Sequence, residues 1–419
     1  MDPWNITVVD LSQSMNGAGS GCRCKVLTAK QGGHVARHII VLALSCFILA
    51  GCIGGNNKTD NSVGQGALNV DSSFELPEQE KDNFVTAVCF ANGSLFAGTE
   101  KSVYEAKYDR EKKTFELVKK HSAALENSKV NSIRSHGSDI IVASQEGYSR
   151  LGKEGWVRQT IGNSNDIMPV DKDLWSATNS GIEILRQNAG DWRTFEVNSA
   201  TDYSPTKKMT SLATDGKQDV WVGTEFGLHH FDLSSYLSFM SKLRAGGAGA
   251  SVDTGSFWRR YYGDYQNPTG GLLATEKGNC PLSGNFIVAI RRDGQRYLLC
   301  TKRGLNVYDG KGWSSFIGTG SVYAMSDDGQ LERRQKPGNI DVPTPEVYDV
   351  VAFQSKLYLA TRSGLAIVNE ADLKTKMITM EEGLPSDRVR ALSLDPAGPT
   401  LFIGTENGLA ALHIAPAGS

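Results

Sequence analysis

The stretch GLPSDRVRALSLDPAGPTLFIGTENGLAAL, residues 383–412, decides the fold. VRALSLD (389–395) alternates apolar and polar residues, as a half-buried strand does. LFIG (401–404) is a second apolar run. It ends in Thr405-Glu406-Asn407-Gly408, after which LAAL starts a third. The small residue at 404 lets a neighbouring sheet approach closely. Gly408 suits a tight turn because glycine takes positive φ without a Cβ clash.

This pattern occurs seven times: LFAGTEKSV (95–103), IVASQEGYS (141–149), LWSATNSGI (174–182), VWVGTEFGL (220–228), YLLCTKRGL (297–305), LYLATRSGL (357–365) and LFIGTENGL (401–409). Each places a small residue before Thr or Ser, at 99, 144, 178, 224, 301, 361 and 405. The spacings are 45, 34, 46, 77, 60 and 44 residues. Repetition at this period marks a repeat architecture.

Upstream of six copies lies a short alternating segment: FVTAVCF (84–90), VNSIRSH (130–136), MTSLATD (209–215), FIVAIRRD (286–293), VYDVVAF (347–353) and VRALSLD (389–395). The third copy has a weaker one near NDIMPV (165–170). After the turn, segments such as GLHHFD, GLNVYD and GLAIVN pair back. Five aromatic segments then follow: TFELVKK (114–120), WVRQTI (156–161), WRTFEV (192–197), WRRYY (258–262) and WSSFIG (313–318). Four strands per repeat make a two-faced sheet that cannot bury both faces alone. Seven such sheets stacked about an axis can. The fold expected is all-β, a seven-bladed β-propeller of four-stranded blades over 74–415, with insertions near 233–256 and 319–346.

The seventh repeat lacks an outer strand after LAALHIAPAGS. FEL at 74–76 matches FEL at 115–117, so residues 74–80 are expected to supply it and pair the open edge; the alternative is plain linker.

Residues 383–412 and CPLSGNFIVAIRRDGQRYLLCTKRGLNVYDGKGW (280–313) resemble the two-component-regulator propeller repeat, found in sensor ectodomains and stand-alone exported proteins. The resemblance covers about residues 74–415, with the second and third copies degenerate. It implies the propeller fold. In the large hybrid sensors of the family a transmembrane helix and a kinase follow, and this sequence ends at Ser419 with neither, so a signalling function is not carried over.

The composition agrees with a folded chain. Forty per cent of the 419 residues are hydrophobic, 21% are charged, and Gly numbers 45, above the usual share of about 7%. Too many apolar residues are present for a disordered chain. A formal charge of −2 argues against a nucleic-acid binder that works by neutralising phosphates.

Residues 1–51 read as an address. IIVLALSCFILAG (39–51) is too short to span a bilayer and fits the core of a secretory signal. It follows Arg37-His38, and Leu49-Ala50-Gly51-Cys52 resembles the bacterial lipoprotein lipobox, which implies lipidation of Cys52. The alternative is a chance match in an uncleaved anchor. Residues 1–34 are unusually long for such a leader and show no order of their own. Val35 is the expected start, because a GTG codon can encode either valine or an initiating methionine. The Gly-, Asn- and Ser-rich stretch over 52–73 reads as lipidated Cys and flexible tether. Isoleucine at 53, by resemblance to Gram-negative sorting, implies delivery to the outer membrane; the propeller is expected to face the periplasm, with the cell surface as the alternative. Cys89, Cys280 and Cys300 remain in the exported part. Cys280 and Cys300 suit a bridge if adjacent strands carry them, and Cys89 reads as a small buried hydrophobe.

The turn tips and outer-to-inner connections are expected on one face. Around the ring the variable turn residues include Glu100, Glu146, Glu225, Phe226, Lys302, Arg303, Arg362, Glu406 and Asn407. Lys302, Arg303 and Arg362 would form a basic sector opposite carboxylates, which can orient a charged partner; the plainer reading is solvated turn tips. Trp258, Arg259, Arg260 and Tyr261 form an aromatic and basic patch suited to carbohydrate or protein contacts, or else outer-strand core. Residues 319–346, with ERRQK (332–336), read as a surface loop.

No HExxH, no Gly-x-Ser-x-Gly and no phosphate loop occurs, and the exported part has no CxxC. No metal or other cofactor is expected. His229 and His230 point to opposite faces of one strand. The expected function is a non-enzymatic, lipid-anchored binding or scaffold protein for another envelope protein. The alternative is a small-ligand or glycan sensor feeding a separate membrane partner, and the third is a propeller lyase or hydrolase.

Overall fold

The structure, a computed structural model, describes residues 5–9, 26–30, 70–74, 76, 84–121, 128–159, 162–170, 173–186, 191–195, 208–244, 254–269, 272–326, 330–395 and 397–414. The signal core, Cys52 and most of the tether lie outside these. Two units are distinct, Met1–Gln65 and Gly66–Ser419. In the first, Asn5–Val9 pairs antiparallel with Val26–Lys30. The expectation of no order over 1–34 is corrected there.

The second unit is a ring of seven four-stranded antiparallel sheets. The inner strands are Ala87–Ala91, Val130–His136, Ser164–Val170, Met209–Thr214, Ile287–Asp293, Val347–Phe353 and Val389–Asp395, numbered here as blades 1 to 7. The weak third segment is therefore a full strand. Blade 6 has an outer strand, Thr375–Ile378, that its sequence hides because it carries no Trp or Phe.

Each blade buries both faces against its neighbours, and seven clusters of buried side chains fill the seven seams. Ala97, Phe402 and Tyr104 lie in the cluster between blades 7 and 1. Trp175 and Phe231 pack between blades 3 and 4 at 5.5 Å. Trp221 packs between blades 4 and 5, 5.2 Å from Tyr297. The repeat motif explains how blades come so close. A Cβ on Gly404 would stand 2.6 Å from Val85 of blade 1, and one on Gly223 would stand 2.7 Å from Ile287 of blade 5. Such overpacking typically costs about 1–3 kcal/mol.

The Thr or Ser of the motif is buried in all seven copies. Its hydroxyl donates to the carbonyl three residues on, at 2.7 to 3.2 Å. In six copies it also accepts a backbone N–H of the turn. The hydroxyl thus satisfies turn groups that water cannot reach. In six copies glycine follows at positive φ, for example Gly408 at 111°; the first has Ser102 there.

Ser72–Phe74 closes the ring as the outer strand of blade 7, pairing with Gly408–His413. The closing strand therefore begins at the end of the stretch read as tether, two residues before 74–80, and ends at Phe74. Asp71 reinforces it. Its N–H donates to Ala411 O at 2.9 Å, its carboxylate accepts from His413 N, and it pairs with Lys113 of blade 1 at 2.6 Å. On the same seam Arg110 of blade 1 pairs with Asp395 of blade 7.

The insertions carry structure. Leu233–Arg244 is a helix. Two hairpins stand between an outer strand and the next inner strand: Tyr265–Thr269 with Leu272–Glu276, and Gly320–Met325 with Leu331–Lys336. The second replaces the surface loop expected over 319–346. Both are rooted alike. Asn279 Oδ1 accepts from Tyr262 N and its Nδ2 donates to Arg260 O; Asn339 does the same with Ile317 N and Ser315 O. Cys280 and Cys300 are not bridged. All three cysteines are free thiols, and Cys89 and Cys300 are buried.

Candidate functional site: the turn face and the axial cavity

The turns and the outer-to-inner connections share one face of the ring. Gln145 N donates to Lys129 O, Lys302 N to Phe286 O and Glu406 N to Arg388 O, each linking a turn to the residue leading into an inner strand. The predicted turn residues sit on this face and differ in how far their charge is committed. Glu225 pairs with Lys208 at 2.6 Å, Glu406 with Arg388 at 3.2 Å and with Arg390, and Glu100 with Lys129 at 3.7 Å. Glu146 is exposed, Phe226 is 46% exposed, and Asn407 N is held by Thr405 Oγ1. Lys302 lies 4.1 Å over the Phe286 ring. Among the described residues, no carboxylate lies within ion-pair distance of Lys302, Arg303 or Arg362.

Of the two readings of residues 258–261, the structure gives outer-strand core for Trp258. Trp258 is buried against Phe231, with ring centroids 4.6 Å apart, because WRRY is the outer strand of blade 4 and alternates inward. Tyr261 packs 5.7 Å from Trp221. Arg259 is exposed. Arg260 donates to Phe226 O at 2.8 Å and lies 4.6 Å over Tyr262.

The inner strands carry a second set of groups that the sequence reading passed over. They line a cavity of about 320 Å³ on the ring axis, with Phe84, Lys129, Tyr348 and Arg390 among its lining. Two equivalent positions matter. The first is Thr86, Asn131, Asn165, Thr210, Val288, Tyr348 and Arg390 in blades 1 to 7. In the first four blades this side chain donates to a carbonyl of the next blade: Thr86 to Val130 at 2.7 Å, Asn131 to Ser164 at 2.8 Å, Asn165 to Met209 at 2.6 Å and Thr210 to Ile287 at 2.7 Å. Blade 5 has Val288, which has no donor. In blades 6 and 7 the guanidinium of Arg390 lies 4.3 Å from the Tyr348 ring and pairs with Glu406.

One residue further on, the series runs Ala87, Ser132, Asp166, Ser211, Ala289, Asp349, Ala391. The two aspartates are buried. Asp166 is saturated: it accepts from Ser132 Oγ at 2.7 Å, from Arg134 Nε at 2.9 Å and Nη2 at 2.5 Å, and from Ile167 N and Leu212 N at 2.9 Å. Burial would raise its carboxyl, but the Arg134 guanidinium and these hydrogen bonds hold it below the usual carboxylate range. Asp349 accepts from Val350 N and Leu392 N at 2.9 Å and pairs with Arg291 Nε at 2.8 Å. Burial opposes the charge on Arg291, yet Asp349 and Asp166 outweigh it and hold that guanidinium protonated. A signal for these residues was present: the equivalent position is small in five inner segments (Ala87, Ser132, Ser211, Ala289, Ala391) and aspartate in the other two.

His229 is buried beside Trp258, and its Nε2 has no hydrogen-bond partner; burial lowers its pKa to about 3. His121 accepts from Trp156 Nε1 at 3.0 Å and donates through Nε2 to Glu105 at 3.2 Å.

No family model matches the chain, and no curated protein matches it. Among solved structures it is similar to the extracellular domain of BT3049 from B. thetaiotaomicron, a protein described as a hybrid two component system. The TM-score is 0.52 at 15% identity, covering 80% of this chain and 40% of that one. The chain thus spans about two fifths of that structure. It also matches the computationally designed Ika8 protein, with a TM-score of 0.47 and 11% identity over 83% of this chain and all of that one. At these identities the likeness concerns the fold: a propeller resembling an extracellular domain of a two-component system.

Proposed function

We propose that this chain is an exported, lipid-anchored propeller that binds another envelope protein, without catalysis, through its turn face. The observation that carries the reading is the uneven commitment of charge on that face. Glu100, Glu225 and Glu406 are paired, while Lys302, Arg303 and Arg362 on blades 5 and 6 are free of carboxylates among the described residues. An acidic partner would meet cations that need not first break an ion pair, which favours both encounter and orientation. The exposed strand Leu331–Lys336, rooted between the same two blades, adds Arg333 and Lys336.

The test is a crosslinked pull-down from intact envelopes with the wild-type chain and with the Lys302/Arg303/Arg362→Glu variant. The variant should fold and lose the partner; a partner retained by the folded variant would remove the basic sector from the contact. Lipidation has its own test. Cys52→Ser should move the chain from the membrane to the soluble fraction, and continued attachment would refute Cys52 as the sole anchor.

A second reading, a sensor of a small ligand feeding a separate membrane partner, is favoured by the axial cavity.

A further inference from the structure

The two axial aspartates have the same place in their blades and the same backbone partner in the next blade, Leu212 N for Asp166 and Leu392 N for Asp349. Their arginines differ. Arg134 grips Asp166 with two nitrogens and uses Nη2 again on Leu212 O at 2.7 Å. Arg291 touches Asp349 only through Nε, and Nη1 reaches its own chain at Ile290 O at 3.5 Å, a marginal contact. Among the described residues Nη2 has no partner. The side chain is 36% exposed and lines the axial cavity, while Asp349 is only 2% exposed.

A guanidinium fixed by one edge and open at the other is a ready receptor for an oxyanion, because its fork matches a carboxylate. The surroundings define the rest of the ligand. Asn131 and Asn165 each spend one Nδ2 hydrogen on the next blade, and Asn165 spends the other on Asn179 Oδ1 at 3.0 Å, while their Oδ1 atoms remain as acceptors. Thr86 and Thr210 likewise donate to carbonyls and keep their lone pairs. The cavity therefore offers one cationic fork and several acceptors for hydroxyl groups. Its volume of about 320 Å³ lies at the small end of the range for ligand pockets, which suits a ligand of six carbons or so.

We infer that the axial cavity binds a small hydroxylated carboxylate, its carboxylate on the open edge of Arg291 and its hydroxyls on the Asn131, Asn165 and Thr210 oxygens. This rests on the sensing reading and names its ligand class; it is independent of the partner face.

The experiment uses the full chain with D-gluconate and D-sorbitol, which differ only in the carboxylate, followed by thermal melting and calorimetry. Gluconate should raise the melting temperature saturably and sorbitol should not. Arg291→Lys keeps the charge beside Asp349 and removes the fork, and should weaken gluconate at least tenfold. Should that variant fail to fold, Asn131→Leu, which keeps Arg291, should weaken it by a smaller factor. Equal stabilisation by sorbitol, or gluconate affinity unchanged in the folded variants, would overturn the assignment. A panel of neutral glycans separates the two levels. Stabilisation by a glycan but not by gluconate would overturn the carboxylate site and leave sensing standing, whereas no response to either would remove both.

Discussion

Blades 1 to 4 and blades 5 to 7 solve the same packing problem differently. In the first arc each inner strand is tied to the next blade by a Thr or Asn side chain, and the axial Asp166 is closed off by five donors. In the second arc those ties are replaced by Val288, Tyr348 and Arg390, and Asp349 leaves its arginine partly open. The free cations of the turn face, Lys302, Arg303 and Arg362, lie in this second arc, and both hairpins enter it. One arc spends its polar groups on holding the ring, and the other keeps them available. A repeat protein need not distribute function evenly, because identical blades supply the scaffold and single residues at equivalent positions supply the difference.

The sharpest way to break this contrast is at the aspartates. Asp166→Ala strands the Arg134 guanidinium, whose side chain is 21% exposed, and removes a carboxylate held by five donors, so it should cost about 3 kcal/mol. Asp349→Ala should cost about half as much, since Arg291 already faces the cavity. Denaturant unfolding of the two variants decides it, and equal losses would erase the distinction.

Acid is expected to weaken the first arc before the second. Burial lowers the pKa of His229 in blade 4 to about 3, against 6.5 for a solvated histidine. Its depressed pKa contributes stability that is fully present above pH 6.5 and is lost as pH falls from there toward 3. Between pH 6.5 and 5 the loss should be about 2 kcal/mol. His229→Leu should flatten that slope in a melting series, whatever it does at pH 8. Asp166, also depressed, acts only lower, as pH falls below the ordinary carboxylate value.

The smallest effects concern the ties themselves. Thr210→Val should cost about 1 kcal/mol, one buried hydrogen bond. Val288→Thr tests the reverse: it offers blade 5 the missing donor toward blade 6 and should be neutral or stabilising by up to about 1 kcal/mol. A clear loss would mean that the position is apolar for packing rather than by omission.

Much of this fold was legible because the T-x-x-G motif is a local chemical device, repeated with its small residue and its glycine. The closing strand was legible from FEL, though two residues out of place, since only pairing with Leu409 fixes register. Trp258 was legible as outer-strand core, since it holds the place in its repeat that Trp313 holds in the next; the two arginines beside it made a contact patch the competing reading. The hairpin at 265–276 was missed for lack of a turn signal stronger than its surroundings. The axial residues were missed for another reason. Asp349 sits inside VYDVVAF, where it reads as an interruption of an apolar strand. Only the ring brings it opposite Arg291 of the preceding blade.

The closure of the ring also sets an order of events. Phe74 finds its partner Leu409 only after the rest of the propeller has been made and brought across. Asp71 and His413, 342 positions apart, are among the last contacts available to a chain that emerges N-terminus first. Contacts this distant in sequence form late and slowly. Until they do, the edges of blades 1 and 7 stand open. The window between the arrival of residue 72 and that of residue 413 is therefore when this protein most needs protection from pairing with another copy of itself.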